Sequence, residues 1–200
     1  MSRTNRRRGA LVVALVTVAS AVLATGVIAG QFQSVDPPSF HEALSTGETT
    51  QVAEVQAEDG FPGRGIFAQV TQTGQLCVWE ALSATSGSRG GGCNSIDDPL
   101  NGSALSATLS YEGGPAIGDV KSATVFGLAA PRAARVSVLM SDGSSRVVKL
   151  KKAKVGSDEF RAFGYRFKKA DLKAGIGPIA IVAFGANGAE IGRQPTGIGG

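Results

Sequence analysis

From Ala10 to Gly30 the chain runs 21 residues without a charge, with Arg3, Arg6, Arg7 and Arg8 just ahead of it. As a helix rising 1.5 Å per residue, such a run is about 31 Å long, close to the thickness of a bilayer's hydrocarbon core. Arginines hold to the cytoplasmic side, which sends everything after Gly30 outside. The expected location is the cell membrane, single-pass, with the C-terminal domain outside. A secretory signal has an apolar core of only about 7–15 residues. The longer run here favours an uncleaved anchor. Cleavage stays open, because Val22-Leu23-Ala24 and Val27-Ile28-Ala29 place small residues at cleavage spacing. It would release a secreted protein.

The run divides the chain. Residues 1–9 read as a basic cytoplasmic tail, too short to bury a core. Residues 10–30 read as the transmembrane helix or signal-anchor, and 31–61 as a juxtamembrane helix and linker. Val35-Asp36-Pro37-Pro38 is a stiff exit, Ser39 and Glu42 make a capping box, and Phe40 and Leu44 share one helical face before Gly47. Residues 45–60 are polar and carry no core pattern. Residues 62–194 read as one extracytoplasmic domain, and 195–200 as a loose tail.

Within 62–194 the period is two. Ile66, Ala68 and Val70 alternate with polar or outward neighbours, Thr73-Gly74 turns, and Leu76 and Val78 continue. Further strands are expected over 105–111, 120–128, 135–140, 146–150, 160–167, 179–184 and 189–193. Asp142-Gly143 and Asn187-Gly188 are hairpin signals between alternating runs. Residues 170–174 fit a single helical turn, and Ser83–Gly92 reads as a Ser/Gly-rich loop. Eight or nine short strands with regular turns predict an all-β fold, an antiparallel β-sandwich following the N-terminal helix. Gly at 28 of 200 residues suits such turns.

Cys77 and Cys93 are the two cysteines, both beyond the uncharged run. An even count in an oxidising compartment reads as a structural disulfide. A zinc shell needs four ligands and a redox pair is normally Cys-x-x-Cys, so both alternatives fit less well. No cofactor and no metal site is expected.

The formal charge of +4 conceals two opposed halves. Residues 31–131 hold 11 acidic groups against Arg64, Arg89 and Lys121, a balance of −8; residues 132–173 hold 12 basic groups against four acidic ones, a balance of +8. Arg146, Lys149, Lys151, Lys152, Lys154, Lys168 and Lys169 are the candidate contacts to an anionic surface, such as lipid headgroups or a phosphate-bearing wall polymer. Against this, strand-edge lysines ordinarily prevent sheet-to-sheet aggregation. Along one ideal strand Arg146 and Lys152 share a face and Lys149 and Lys151 the other, so the strip is one patch only if a bend near Ala153-Lys154 joins them. Nucleic acid is a poor partner outside the membrane.

Catalytic signals are weak. His41 is the single histidine and lies in the juxtamembrane segment, and no Gly-x-Ser-x-Gly elbow occurs. Glu80, Asp97, Asp98, Glu112 and Asp119 could supply a hydrolase's carboxylate pair only by converging in the fold. Trp79, Phe163 and Tyr165 read as core more readily than as a ligand platform.

Several motifs carry a resemblance. Gly-Gln-Leu-Cys-Val (74–78), Gly-Gly-Cys (91–93), Val-Phe-Gly-Leu-Ala-Ala-Pro-Arg-Ala-Ala-Arg-Val (125–136) and Ser-Asp-Gly-Ser (141–144) follow a basic start and one apolar helix. In this outline the chain resembles a family of uncharacterised single-pass extracytoplasmic proteins of high-GC Gram-positive bacteria. Ile-Val-Ala-Phe-Gly-Ala-Asn-Gly-Ala-Glu-Ile (181–191) is similar to the last hairpin of bacterial immunoglobulin-like domains. The resemblance implies an immunoglobulin-like sandwich and transfers no activity or site residue. The expected function is a non-catalytic, membrane-anchored binding domain or envelope component, meeting an anionic polymer or another envelope protein. The rivals are an exported hydrolase, and an accessory subunit pairing through its membrane helix at Ala10/Ala14 or Ala21/Thr25.

Overall fold

Glycines in the left-handed region mark where the chain reverses. Gly74, Gly143 and Gly188 have φ of 73°, 81° and 79°, at the three turn signals read in the sequence. The computed structural model describes residues 48–196 except 85, 87–89 and 115. The basic tail, the uncharged run, the expected juxtamembrane helix with His41, and residues 197–200 lie outside the described residues. No helix among the described residues is long and apolar enough to cross a membrane.

Among the described residues twelve strands form three four-stranded antiparallel sheets. The first sheet is an up-and-down meander of β1(Thr50–Val55), β2(Arg64–Val70), β3(Gln75–Ala81) and β4(Gly90–Ser95). The central sheet contains β5(Leu105–Gly113), β6(Val120–Ala129), β9(Lys151–Val155) and β10(Asp158–Arg166), in the order β5-β6-β10-β9. The third sheet contains β7(Ala133–Met140), β8(Ser145–Val148), β11(Pro178–Gly185) and β12(Glu190–Pro195), in the order β12-β11-β7-β8. One helical turn, α1(Lys169–Lys173), follows β10.

Alternation gives the central sheet two buried faces. Phe126, Leu128, Phe160 and Ala162 point to the first sheet and meet Val52, Val55, Ile66 and Leu76. Val125, Ala129 and Phe163 point the other way and meet Val136, Val138, Met140 and Ile181 of the third sheet, with Leu172 of α1. Gly164 permits the close approach of the first interface: a Cβ there would lie 2.8 Å from Val55 Cγ2 and 3.2 Å from Ile66 Cγ1. Side chains of both outer sheets also bond to β5, an edge strand of the central sheet. Gln194 of β12 accepts from the Ala107 N–H at 2.8 Å and donates to its carbonyl at 2.7 Å, so a side-chain amide stands in for a strand. On the other side, Asn94 of β4 donates to Ser106 Oγ at 3.0 Å.

The all-β antiparallel class agrees with the sequence, and the sheets are three. Three strands were not expected. Residues 50–55, read as linker, form β1, so the folded unit starts ahead of residue 62. A bulge between Gln51 and Ala53 buries both Val52 and Ala53, which breaks the alternation. Gly90–Gly92, read as loop, open β4. The run 146–154 changes sheets at Lys149-Leu150 and makes two strands, so its bend lies ahead of Ala153-Lys154. At the other end Pro195 is in β12 and Thr196 is buried, its N–H donating to the Ile179 carbonyl and its hydroxyl to that of Pro178. Residues 195 and 196, read as part of the tail, therefore belong to the folded unit.

Candidate functional site

Cys77 and Cys93 are directly opposite residues of β3 and β4, with Cα atoms 4.0 Å apart and a 2.03 Å S–S bond. The bridge closes the loop between the two strands, as expected. On the chain-entropy account a closure of this length contributes about 3 kcal/mol.

The basic candidates do not form one patch. Arg146 is in the third sheet and is engaged: its guanidinium donates to Asp171 Oδ2 at 3.2 Å and to Ser144 Oγ at 3.0 Å. The Asp171 hydrogen bond holds its pKa above the usual arginine value. The neighbouring Tyr165 hydroxyl is pushed up by burial, which the Arg146 charge partly offsets. Lys149 is exposed at the change of sheet. Lys151, Lys152 and Lys154 are exposed on β9, the terminal strand of the central sheet. Lys152 stands opposite Arg161 and Lys154 opposite Glu159, while Lys151 takes the other face with Ala153 and Val155. Lys168 and Lys169 lie past the far end of β10; the Lys169 backbone N–H donates to Asp59 Oδ2 at 3.1 Å. Edge position explains the lysines of β9 directly: they make an unpaired strand edge hard to extend.

Chemistry converges elsewhere, at one end of the interface between first and central sheets. Arg64 of β2 and Glu80 of β3 continue the inward faces of Ile66 and Val78, and Arg166 of β10 continues that of Ala162 and Gly164. All three are buried, at 7%, 2% and 6% exposure. Arg64 Nε is 3.5 Å from Glu80 Oε1, and Arg166 Nη2 is 4.0 Å from the same oxygen. Arg166 Nη1 donates to the Phe61 and Pro62 carbonyls at 3.1 and 3.0 Å. Its buried Nε has no hydrogen-bond acceptor among the described residues. These residues border a cleft of about 200 Å³, which Glu112 and Tyr111 of β5 also line. Two guanidinium groups around one carboxylate carry a local excess of one positive charge, offset at the rim by Glu112.

Of the candidate carboxylates, Glu80 and Glu112 therefore share a cleft. Asp98 instead accepts from the Gly102 N–H at 2.7 Å in its own turn, and Asp119 closes a 3-10 turn beside β6. Trp79 and Phe163 belong to different buried clusters, and Tyr165 packs with Phe167 edge to face, so the three aromatics make no common platform. Among the described residues no group of three or more His, Cys, Asp or Glu side chains is placed to hold a metal ion. Arg64 and Arg166 escape a reading by motif. Strand parity was the available signal, since both sit on positions whose neighbours two residues away are core. Comparison of the chain with family models, curated proteins and solved structures found no match.

Proposed function

We propose that this chain is a non-catalytic extracytoplasmic binding domain, held at the membrane by residues 10–30 and related to single-pass envelope proteins with immunoglobulin-like domains. The observation that carries the reading is the Cys77–Cys93 bridge in a chain that opens with a basic cluster and a bilayer-length uncharged run. A bridge of this kind suits an oxidising compartment. The binding surface is the exposed lysines of the edge strand β9, Lys151, Lys152 and Lys154, with Lys149 just ahead of it; Lys168 and Lys169 lie past the far end of β10, apart from it. Arg146 is set aside because Asp171 already neutralises it. The partner class is an anionic surface, a lipid headgroup layer or wall polymer.

The test is retention of the full chain on purified wall and on anionic against neutral vesicles, across salt. Retention at low salt should fall as salt screens the contacts, and should fall at low salt when Lys151, Lys152 and Lys154 become Gln. Retention that ignores salt and the triple substitution leaves these lysines as edge protection alone. A reporter fused after residue 200 that is active only in the cytoplasm overturns the topology.

A second reading has one observation in its favour. Glu80 and Glu112 face one cleft, as the carboxylates of an exported hydrolase would. Hydrolysis of an envelope glycan that Glu112→Gln abolishes would establish it.

A further inference from the structure

Arg166 uses one side of its guanidinium and leaves the other unanswered. Nη1 donates to the Phe61 and Pro62 carbonyls at 3.1 and 3.0 Å, which fixes the group in place. On the opposite edge, Nε has no acceptor among the described residues, and Nη2 stays 4.0 Å from Glu80 Oε1, beyond hydrogen-bond reach. Nε and Nη2 together form a planar fork, the arrangement that receives both oxygens of a carboxylate through two parallel bonds. A buried donor without an acceptor is costly, so a cluster serving stability alone would close tightly around Glu80. Arg64 Nε also stands off, 3.5 Å from Glu80 Oε1, where a charge-assisted bond is about 2.8 Å.

We propose that the cleft beside Arg166 binds the carboxylate group of a small, singly charged organic acid, with the Nε–Nη2 edge of Arg166 as its anchor. Glu80 then keeps Arg64, its nearer partner. The floor of the cleft is polar. Ser110, Thr124 and Arg166 form one row across β5, β6 and β10, and Glu112 and Ser122 form the next, on the face that Phe126 continues farther along β6. Three hydroxyls therefore line the space beside the fork. At about 200 Å³ the cleft is on the scale of cavities that take a benzene-sized molecule. Charge selects among anions. Glu80 is shared by two guanidinium groups, which leaves an attraction for one negative charge, and Glu112 at the rim opposes a second. A monocarboxylate suits that balance better than a phosphate dianion. The group belongs either to a free acid or to the C-terminal end of a peptide, which would continue out past Tyr111, 54% exposed. The site is apart from the β9 lysines and needs no bond cleavage, so it rests on neither reading above.

The direct readout is the Arg166 Nε–H resonance of the full chain, isotope-labelled at arginine nitrogen. Propionate should move it downfield, and propionamide, of the same size without the charge, should leave it in place. If acetyl-dialanine moves it as well and its C-terminal amide does not, the source is a peptide end; a response to propionate alone makes it a free acid. Arg166→Lys keeps the charge and loses the fork, and should weaken propionate binding about tenfold or more in calorimetry. The resonance is read in the unaltered chain, so the test stands even where that variant fails to fold. A resonance that neither carboxylate moves, that the amides move equally, or that inorganic phosphate moves at lower concentration than propionate overturns the proposal.

Discussion

Glu80 is the most exposed to consequence of any side chain in the interior, because two buried arginines depend on it. Arg64 and Arg166 were taken out of water on folding, and both approach Glu80 Oε1. Removing one partner of such a cluster leaves charge uncompensated, at a cost of about 3–5 kcal/mol. Glu80→Gln should lower the urea midpoint accordingly while keeping the side chain's volume. Replacing Arg64, Glu80 and Arg166 together by Met, Leu and Met should cost far less, since buried ion clusters often exchange for apolar residues nearly neutrally. Equal losses in the two variants would mean that packing, not charge balance, holds this end of the interface.

The β7–β8 hairpin shows how an element draws on one titrating group. The Ser144 hydroxyl and backbone N–H donate to Asp142 Oδ1 at 2.6 and 2.9 Å, and hold its carboxyl below the usual value. The folded value is depressed, so the contribution is complete above the unfolded value near 3.8 and is lost as pH falls through the folded one. Thermal midpoints followed into acid should fall less steeply for Asp142→Asn than for the native chain below about pH 4. The hairpin itself was legible, because Asp142-Gly143 separates two alternating runs. So were β2–β3 and β11–β12, for the same reason. What escaped reading had no local signal. β4 opens with three glycines, and at Gly90 and Gly91 the nearby Ser110 and Trp79 leave no room for a Cβ. The break at Lys149-Leu150 contains neither glycine nor proline, and tertiary packing alone makes it. The disulfide partners were legible from the count of two cysteines and the expected oxidising compartment. The Arg64–Glu80–Arg166 cleft was not, because it joins residues from two sheets.

At the scale of the molecule, the central sheet supplies both interfaces. Every residue of β6 from Ala123 to Ala129 is buried, and β10 is its neighbour. Local opening free energies rise with burial and contact on both sides. Amides of β6 and β10 should therefore exchange with solvent last, and those of β1, β4 and β12 earlier; faster exchange in β6 than in β12 would contradict a core organised about the central sheet. The stacking also has a metric side. Packed sheets stand about 10 Å apart, so the outward faces of the first and third sheets are separated by two such spacings, about 20 Å. A chain held through residues ahead of Thr49 is held at the first sheet. The fold then acts as a spacer of fixed height, and the third sheet, where Val147 is 66% exposed and the chain leaves through Thr196, is the storey lifted farthest from the attachment.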